Sequence, residues 1–228
     1  MTKEEILKLR FEKFLLKYES LYDQRMINYI KENFWDSMDE VVPDVLMQVY
    51  SELGILKNNF YLEHLNKIKQ NFDITGDVLE VCSGVIPAFG NLMAKEQLKI
   101  GCGTITLCDP ALILDKPKYP NMKLVKDKFT LDTNINNFDL ITGILTCEAT
   151  EDIIESACKN HKNFYIAMCG CTHFKAFPLF TSLTPEVYQK QVITLTKNLL
   201  KKYDNGELVI EKLDDSYELN YPILYNKK

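Results

Sequence analysis

No stretch of this 228-residue chain has the length or uncharged character of a membrane span or a signal-peptide core. Its first residues, Met1-Thr2-Lys3-Glu4-Glu5, are charged and lead into an amphipathic pattern, so the expectation is a cytoplasmic protein that does not enter a membrane. Positive charge is not in excess either. With 27 Lys and Arg against 32 Asp and Glu, the net charge is −5. A nucleic-acid binder usually needs a basic face for phosphates, so nucleic acid is a disfavoured partner, although a local basic patch is compatible with these numbers. Internal repeats and low-complexity tracts are missing, which argues against a repeat array or a disordered linker. A CxxC zinc pair is missing as well. The seven cysteines are an odd number in a chain without a signal, and they read as cytosolic thiols, not a disulfide framework.

What is present is ordinary globular material. Hydrophobic residues make up 46% and charged residues 26%, enough to build one medium domain or a domain with a helical appendage. Residues 3–34 carry apolar positions Ile6, Leu9, Phe14, Leu15 and Tyr18 at near-helical spacing and are expected to form a helix. A second helix is expected over 37–53, stopped by Gly54, and a third over 58–70. From residue 72 the character changes, and short apolar runs alternate with helical ones. Strands are expected at 78–82, 104–108, 122–125, 138–144 and 164–169, with helices at 87–99, 150–160 and 184–204. Two further strands, 207–213 and 221–225, are separated by only a short polar loop. A parallel crossover needs a dozen or more residues, so these two must pair antiparallel. The reading is an α/β chain: a helical segment over 1–71, then a Rossmann-like, doubly wound, mostly parallel sheet over 72–228 with an antiparallel C-terminal hairpin.

The most informative stretch runs from Asp77 to Pro110. An apolar strand ends in Glu80-Val81-Cys82-Ser83-Gly84, a helix follows, and a second apolar strand ends in Asp109. That is the skeleton of a mononucleotide-binding half-fold, with polar groups where strands end and a ligand can sit. Gly84 lets the backbone turn sharply and approach a ligand, and the first amides of the next helix can meet an anion. An acid-plus-glycine strand end that binds nothing, and a turn-forming Asp109-Pro110 pair, are the plainer alternatives. Thr150-Glu151-Asp152 reads as a helix start with acids at its positive end, which leaves Cys147 and Glu148 at the lip of the preceding loop. Cys169-Gly170-Cys171-Thr172-His173 ends another strand. A soft-metal site at Cys82, Cys147 and this cluster is conceivable, but no metal is assigned, because a buried cysteine is usually a small apolar residue.

Over residues 72–228 the order of elements, the acid-ended first strand, Asp109 after the second strand and the reversed terminal hairpin resemble a class I S-adenosylmethionine-dependent methyltransferase. The family's first motif is an acid followed by three alternating glycines. Glu80 matches the acid and Gly84 the middle glycine, while Cys82 and Ile86 replace the first and third. The resemblance implies S-adenosyl-L-methionine as cofactor. It would be held by Glu80, Cys82, Ser83 and Gly84, by Asp109 and Pro110 at the ribose, and by Asp127, Lys128 and Phe129 near the adenine. Gly143 and Leu145 would lie beside the transferred methyl group. Glu148 and His173 are the candidate catalytic residues, each able to orient an acceptor or take its proton. The expected acceptor is a small molecule, and the helical segment would cap the cofactor or form a dimer surface, leaving monomer and homodimer both open.

Three alternatives stand beside this reading. Gly84-Val85-Ile86-Pro87 followed by a long helix is faintly similar to nicotianamine synthase-like proteins, which transfer the aminobutyryl part of the same cofactor. A non-catalytic nucleoside-binding module would tolerate the altered glycines. A nicotinamide-dependent oxidoreductase is disfavoured by the absent third glycine and by the terminal hairpin.

Overall fold

The computed structural model describes residues 1–22, 24–36, 45–54, 60–112, 114–170, 184–213 and 221–228. It divides into two compact units, Met1–Phe60 and Tyr61–Lys228.

The first unit is helical: α1 Lys3–Tyr18, α2 Gln24–Asn33 and α3 Val45–Leu53. α1 begins in a capping box, in which the Thr2 hydroxyl accepts from the Glu5 amide at 3.1 Å while the Glu5 carboxylate accepts from the Thr2 amide at 2.7 Å. The single helix expected over 3–34 is two. The Tyr18 carbonyl accepts from both Leu21 and Tyr22, a tight turn that stops α1 and lets Tyr18 and Tyr22 bury their rings. Phe11 stacks on Phe34 with ring centroids 3.8 Å apart, and Trp35 lies edge-on to both. Of the helix expected over 37–53, residues 37–44 lie outside the described residues.

The second unit is built on β1 Asp77–Val81, β2 Thr104–Cys108, β3 Met122–Val125, β4 Leu140–Ile144, β5 Asn163–Ala167, β6 Glu207–Glu211 and β7 Ile223–Lys227. They form one sheet in the order β3-β2-β1-β4-β5-β7-β6. β1 to β5 pair in parallel, and β7 enters antiparallel between β5 and β6. The expected α/β architecture is therefore present, with the hairpin as read. β7 lies two residues later than expected because its partner sets the register, with Glu207 opposite Lys227 and Glu211 opposite Ile223.

Alternation along the strands sorts side chains to the two faces. One face, with Leu79, Val81, Ile141, Phe164 and Ile166, packs against α6 Thr150–Lys159 and α7 Pro185–Tyr203 through Ile153, Ile154, Ala157, Tyr188 and Val192. The other face carries Glu80, Leu107 and Tyr165 and meets α5 Ala88–Ile100 and α4 Phe60–Asn71. α5 stops at Gly101, whose φ of 84° provides the left-handed cap. The buried His64 of α4 bonds the Tyr165 hydroxyl at 2.8 Å, and burial pushes its pKa down to about 3, so it is a neutral core residue.

The amino ends of β1 and β2 are tightly braced. The buried Gln97 amide donates to the carbonyls of Ile74 at 3.0 Å, Gly76 at 3.1 Å and Thr104 at 3.5 Å. The Thr104 hydroxyl bonds the Asp77 carboxylate, and the Asp77 amide donates to Asp139 at 2.9 Å. Among the described residues, no helix is long and apolar enough to cross a membrane.

Candidate active site

Neighbouring strands β1 and β4 send their chains in opposite directions, β1 through α5 to β2 and β4 through α6 to β5. A crevice opens at such a switch point, beyond the carboxyl ends of the strands. The sequence places Glu80 to Gly84, Asp109, Asp127 to Phe129 and Gly143 to Glu148 around it.

The β1 elbow is bent by two left-handed residues, Cys82 at φ 58° and Gly84 at φ 79°. Glycine takes this conformation freely, whereas cysteine carries a strain of about 1 kcal/mol. The elbow is pinned from β2. The Cys82 amide donates to the Cys108 carbonyl at 2.9 Å, and the Gly84 amide donates to Asp109 Oδ2 at 2.9 Å. Asp109 Oδ1 accepts from the Ala111 amide at 2.8 Å. Each oxygen therefore keeps a lone pair for a further donor. Pro110 is exposed beside this clasp. Ile86, at the third glycine position, is 1% exposed and accepts from the Ala88 amide through its carbonyl, so its side chain serves the core.

Glu80 is 2% exposed, and its Oε2 is buried without a hydrogen-bond partner. Burial, and then the charge of Asp109, push its carboxyl pKa up to about 8. The Ser83 hydroxyl is also buried and unpartnered. Gly90 of α5 makes room for the acid: a Cβ there would come within 2.4 Å of Glu80 Oε2 and of Leu107 Cδ2. Gly90 is not among the residues the sequence motifs point to, yet a glycine inside a helix that follows a glycine elbow is the signal that marks such a close approach.

Cys82 points its thiol at the Thr146 carbonyl, 3.5 Å away on the β4 loop. Burial, followed by Asp109, pushes its pKa up to about 12, so it is a neutral thiol and not a nucleophile. Cys108 bonds the Asp127 carbonyl at 3.4 Å, and Asp127 Oδ1 accepts from the Lys128 amide at 2.7 Å. Phe129 is buried in the apolar cluster with Val81, Cys108 and Ile135. Its ring packs the core at the foot of the loop.

The β4 tip is also strained, with Leu145 at φ 60° and Cys147 at φ 43°. A small network holds it there. The Thr146 and Thr150 hydroxyls lie 2.7 Å apart, the Thr150 hydroxyl donates to the Cys147 carbonyl at 2.8 Å, and the Tyr188 hydroxyl reaches the same carbonyl at 3.5 Å. Nothing in the spacing of these three residues announces the network, because Tyr188 arrives from α7 through tertiary packing. Gly143 is required by packing, since a Cβ would fall 2.2 Å from Thr146 Cγ2 and 2.9 Å from the Val81 carbonyl. Glu148 stands at the lip, and its carboxylate pairs with Lys128 at 3.1 Å, with both side chains mostly exposed.

The structure thus clasps Cys82 and Gly84 to the end of β2 and Asp109, with the unpartnered side chains of Glu80 and Ser83 on the same elbow, and joins the loops after β3 and β4 through Lys128 and Glu148. His173 and Cys171 lie outside the described residues. Among the described residues, no three His, Cys, Asp or Glu side chains gather to hold a metal ion. A separate open cavity of about 600 Å³ is lined by Asp77, Thr104, Thr106, Lys123, Asn134, Asn137 and Phe138. It reaches the opposite ends of the strands, and none of the candidate residues lines it.

No family model matches the chain, and no curated protein matches it. Solved structures do. A candidate S-adenosyl-L-methionine-dependent methyltransferase of Methanococcus maripaludis has a TM-score of 0.51 at 15% identity, covering 80% of this chain and 90% of that one. An S-adenosylmethionine-dependent methyltransferase from Aquifex aeolicus has a TM-score of 0.49 at 12% identity, covering 78% and 97%. Magnesium protoporphyrin IX methyltransferase from Synechocystis has a TM-score of 0.45 at 11% identity, covering 91% and 98%. Identities this low speak to fold alone. With its strand order and reversed β7, the chain has the class I S-adenosylmethionine-dependent methyltransferase fold.

Proposed function

We propose that the protein is an S-adenosylmethionine-dependent methyltransferase whose acceptor is a small molecule. One observation carries the reading: the Asp109 carboxylate clasps the Gly84 amide beside the buried, unpartnered Oε2 of Glu80, at the switch point of the sheet. These groups suit the cofactor. It is a cation with an α-ammonium, an α-carboxylate and a ribose diol. Glu80 and Ser83 supply buried polar atoms awaiting a partner, and the lone pairs left on Asp109 suit two hydroxyls. The amides at the start of α5 suit the α-carboxylate. Pro110, Asp127 and Lys128 line the approach to the adenine end, and Phe129 would act from beneath by packing the loop.

When bound, the cofactor supplies a methyl group on a sulfonium, ready for in-line transfer. The protein's task is then placement and proton removal. Leu145, whose amide donates to the Ala167 carbonyl, and Cys147, whose carbonyl accepts from the Thr150 and Tyr188 hydroxyls, are held in left-handed conformations and would give the β4 loop a rigid wall beside the reacting centre. Glu148, held by Lys128 at the lip, would orient an acceptor hydroxyl or amine and take up its proton. His173 is assigned the same duty from the sequence alone. The N-terminal segment, residues 1–71, would serve as the cap, and the protein would work in the cytoplasm as a monomer or homodimer.

Calorimetry with S-adenosylmethionine, S-adenosylhomocysteine and NAD tests the assignment. Binding of the first two and not the third is expected. Binding of NAD alone, or of none, overturns it. Products separate the nearest rival on the same fold, since S-adenosylhomocysteine marks methyl transfer and methylthioadenosine marks aminobutyryl transfer.

A further inference from the structure

Glu80 is an acid without a counter-ion. Among the described residues, no lysine, arginine or histidine bonds to it, and its buried Oε2 has no partner. The neighbouring strands and α5 bring no cation to it. β2 presents Cys108 and the acid Asp109, and β1 continues into Cys82, whose thiol stays neutral. β4 is Leu140-Ile141-Thr142-Gly143-Ile144, without a titratable group, and the first charge beyond its tip is Glu148, already paired with Lys128. α5 turns Gly90 to the carboxyl, while its charges lie elsewhere: Lys95 and Lys99 are exposed, and Glu96 pairs with Lys69 and Lys99. An ionised carboxylate buried among such neighbours is costly, and the cheaper state is the neutral acid.

We propose that Glu80 holds a proton while the crevice is empty and surrenders it when the α-ammonium of the cofactor arrives, so that ligand binding expels a proton to solvent. The neutral acid becomes a carboxylate facing an ammonium, and the proton leaves for the buffer. The inference rests on the cofactor assignment above and adds a coupling to it. The burial-driven rise to about 8 agrees with a group that is mostly protonated near neutrality. The coupling has two consequences. Affinity for a ligand bearing the ammonium rises with pH across the neutral range, by about tenfold per unit while a full proton is released. A ligand without the ammonium gains nothing from Glu80, so the acid acts as a filter for the amino-acid end of the cofactor.

The test is calorimetry at pH 7 in phosphate and in Tris, buffers with very different ionisation enthalpies. S-adenosylhomocysteine is the probe, because it carries the ammonium without the sulfonium. The expected result is an apparent binding enthalpy that differs between buffers by nearly one proton per ligand, and an affinity about tenfold weaker at pH 6 than at pH 7. Methylthioadenosine, which lacks the amino-acid part, should show no buffer dependence. Glu80→Gln should bind S-adenosylhomocysteine without releasing a proton. If that variant does not fold, the wild-type pair of ligands decides. Buffer-independent binding of S-adenosylhomocysteine overturns the coupling and leaves the cofactor assignment standing, as does a release seen only with S-adenosylmethionine. No binding of S-adenosylhomocysteine at all removes the assignment and the coupling together.

Discussion

The two ends of the same strands handle their polar groups in opposite ways. At the amino ends, Gln97 joins three backbone carbonyls, Asp77 holds Thr104, and Asp139 takes the Asp77 amide. Backbone and side chains there are tied to one another. At the carboxyl ends, Glu80 Oε2 and Ser83 Oγ are buried with nothing to bond, and Cys82, Leu145 and Cys147 are left-handed without being glycine. One end is braced, although Asn121 Oδ1 is buried without a partner there and His161 and Asp204 are left-handed just before β5 and β6. The other keeps about 1 kcal/mol or more of unmet hydrogen bonding and strain at each such group, as expected where something else is to be bound.

The sharpest way to break this contrast is at the braced end. Gln97→Ala should destabilise the protein by about 3 kcal/mol, because three carbonyls lose a buried donor and a cavity is left. Thermal or urea unfolding checks this, and S-adenosylhomocysteine affinity in the folded fraction should stay unchanged. At the open end, Gly90→Ala should cost about 2 kcal/mol by forcing Glu80 and Leu107 apart, and it should also weaken S-adenosylhomocysteine binding at least tenfold in calorimetry. A variant that loses stability but not affinity would show that Glu80 is only packing.

The next effect is one of pH. Folded Glu80 keeps its proton to about pH 8, whereas its ordinary value is 4.5, so the folded state binds more protons between these limits. Stability must then fall as pH rises through that window. His64, held down at about 3 from 6.5, tilts stability the other way at lower pH, so the clean range to measure is pH 6.5 to 8.5. Glu80→Gln should flatten the slope and be more stable than wild type at pH 8.5 by on the order of 1 kcal/mol. An unchanged slope in melting temperature would show that Glu80 is ionised throughout. The smallest effect belongs to the exposed pair at the lip: Lys128→Ala should change stability by less than about 0.5 kcal/mol, with any larger consequence confined to turnover.

The architecture was legible because it is written in local signals. Apolar runs ending in Glu80 and Asp109, Gly101 after a helix, and a loop too short for a parallel crossover are each readable one residue at a time. The clasp was legible only in outline. The family resemblance points to Asp109 as a ribose ligand, while its bond to the Gly84 amide depends on the approach of two strand ends that sequence does not measure. The resemblance places Gly143 beside the methyl group, and the close packing of Thr146 and Val81 around it is a requirement that the sequence does not announce. The break after Tyr18 was missed because apolar spacing runs on through Tyr22 and Ile27, and periodicity does not reveal where a backbone turns. Tyr188 and Thr150 were out of reach, since their meeting depends on how α7 lies on the sheet.

The position of β7 has a further consequence for how this protein is made. Among the described residues, β6 pairs with β7 alone, and β5 is paired on one side only until β7 arrives. On the ribosome, residues 207–211 must therefore wait unpaired until residues 223–227 have emerged, while β1 to β4 can already assemble. Synthesis leaves an open strand edge beside β5 during that interval, and a chain stalled there exposes the surface on which nascent proteins aggregate.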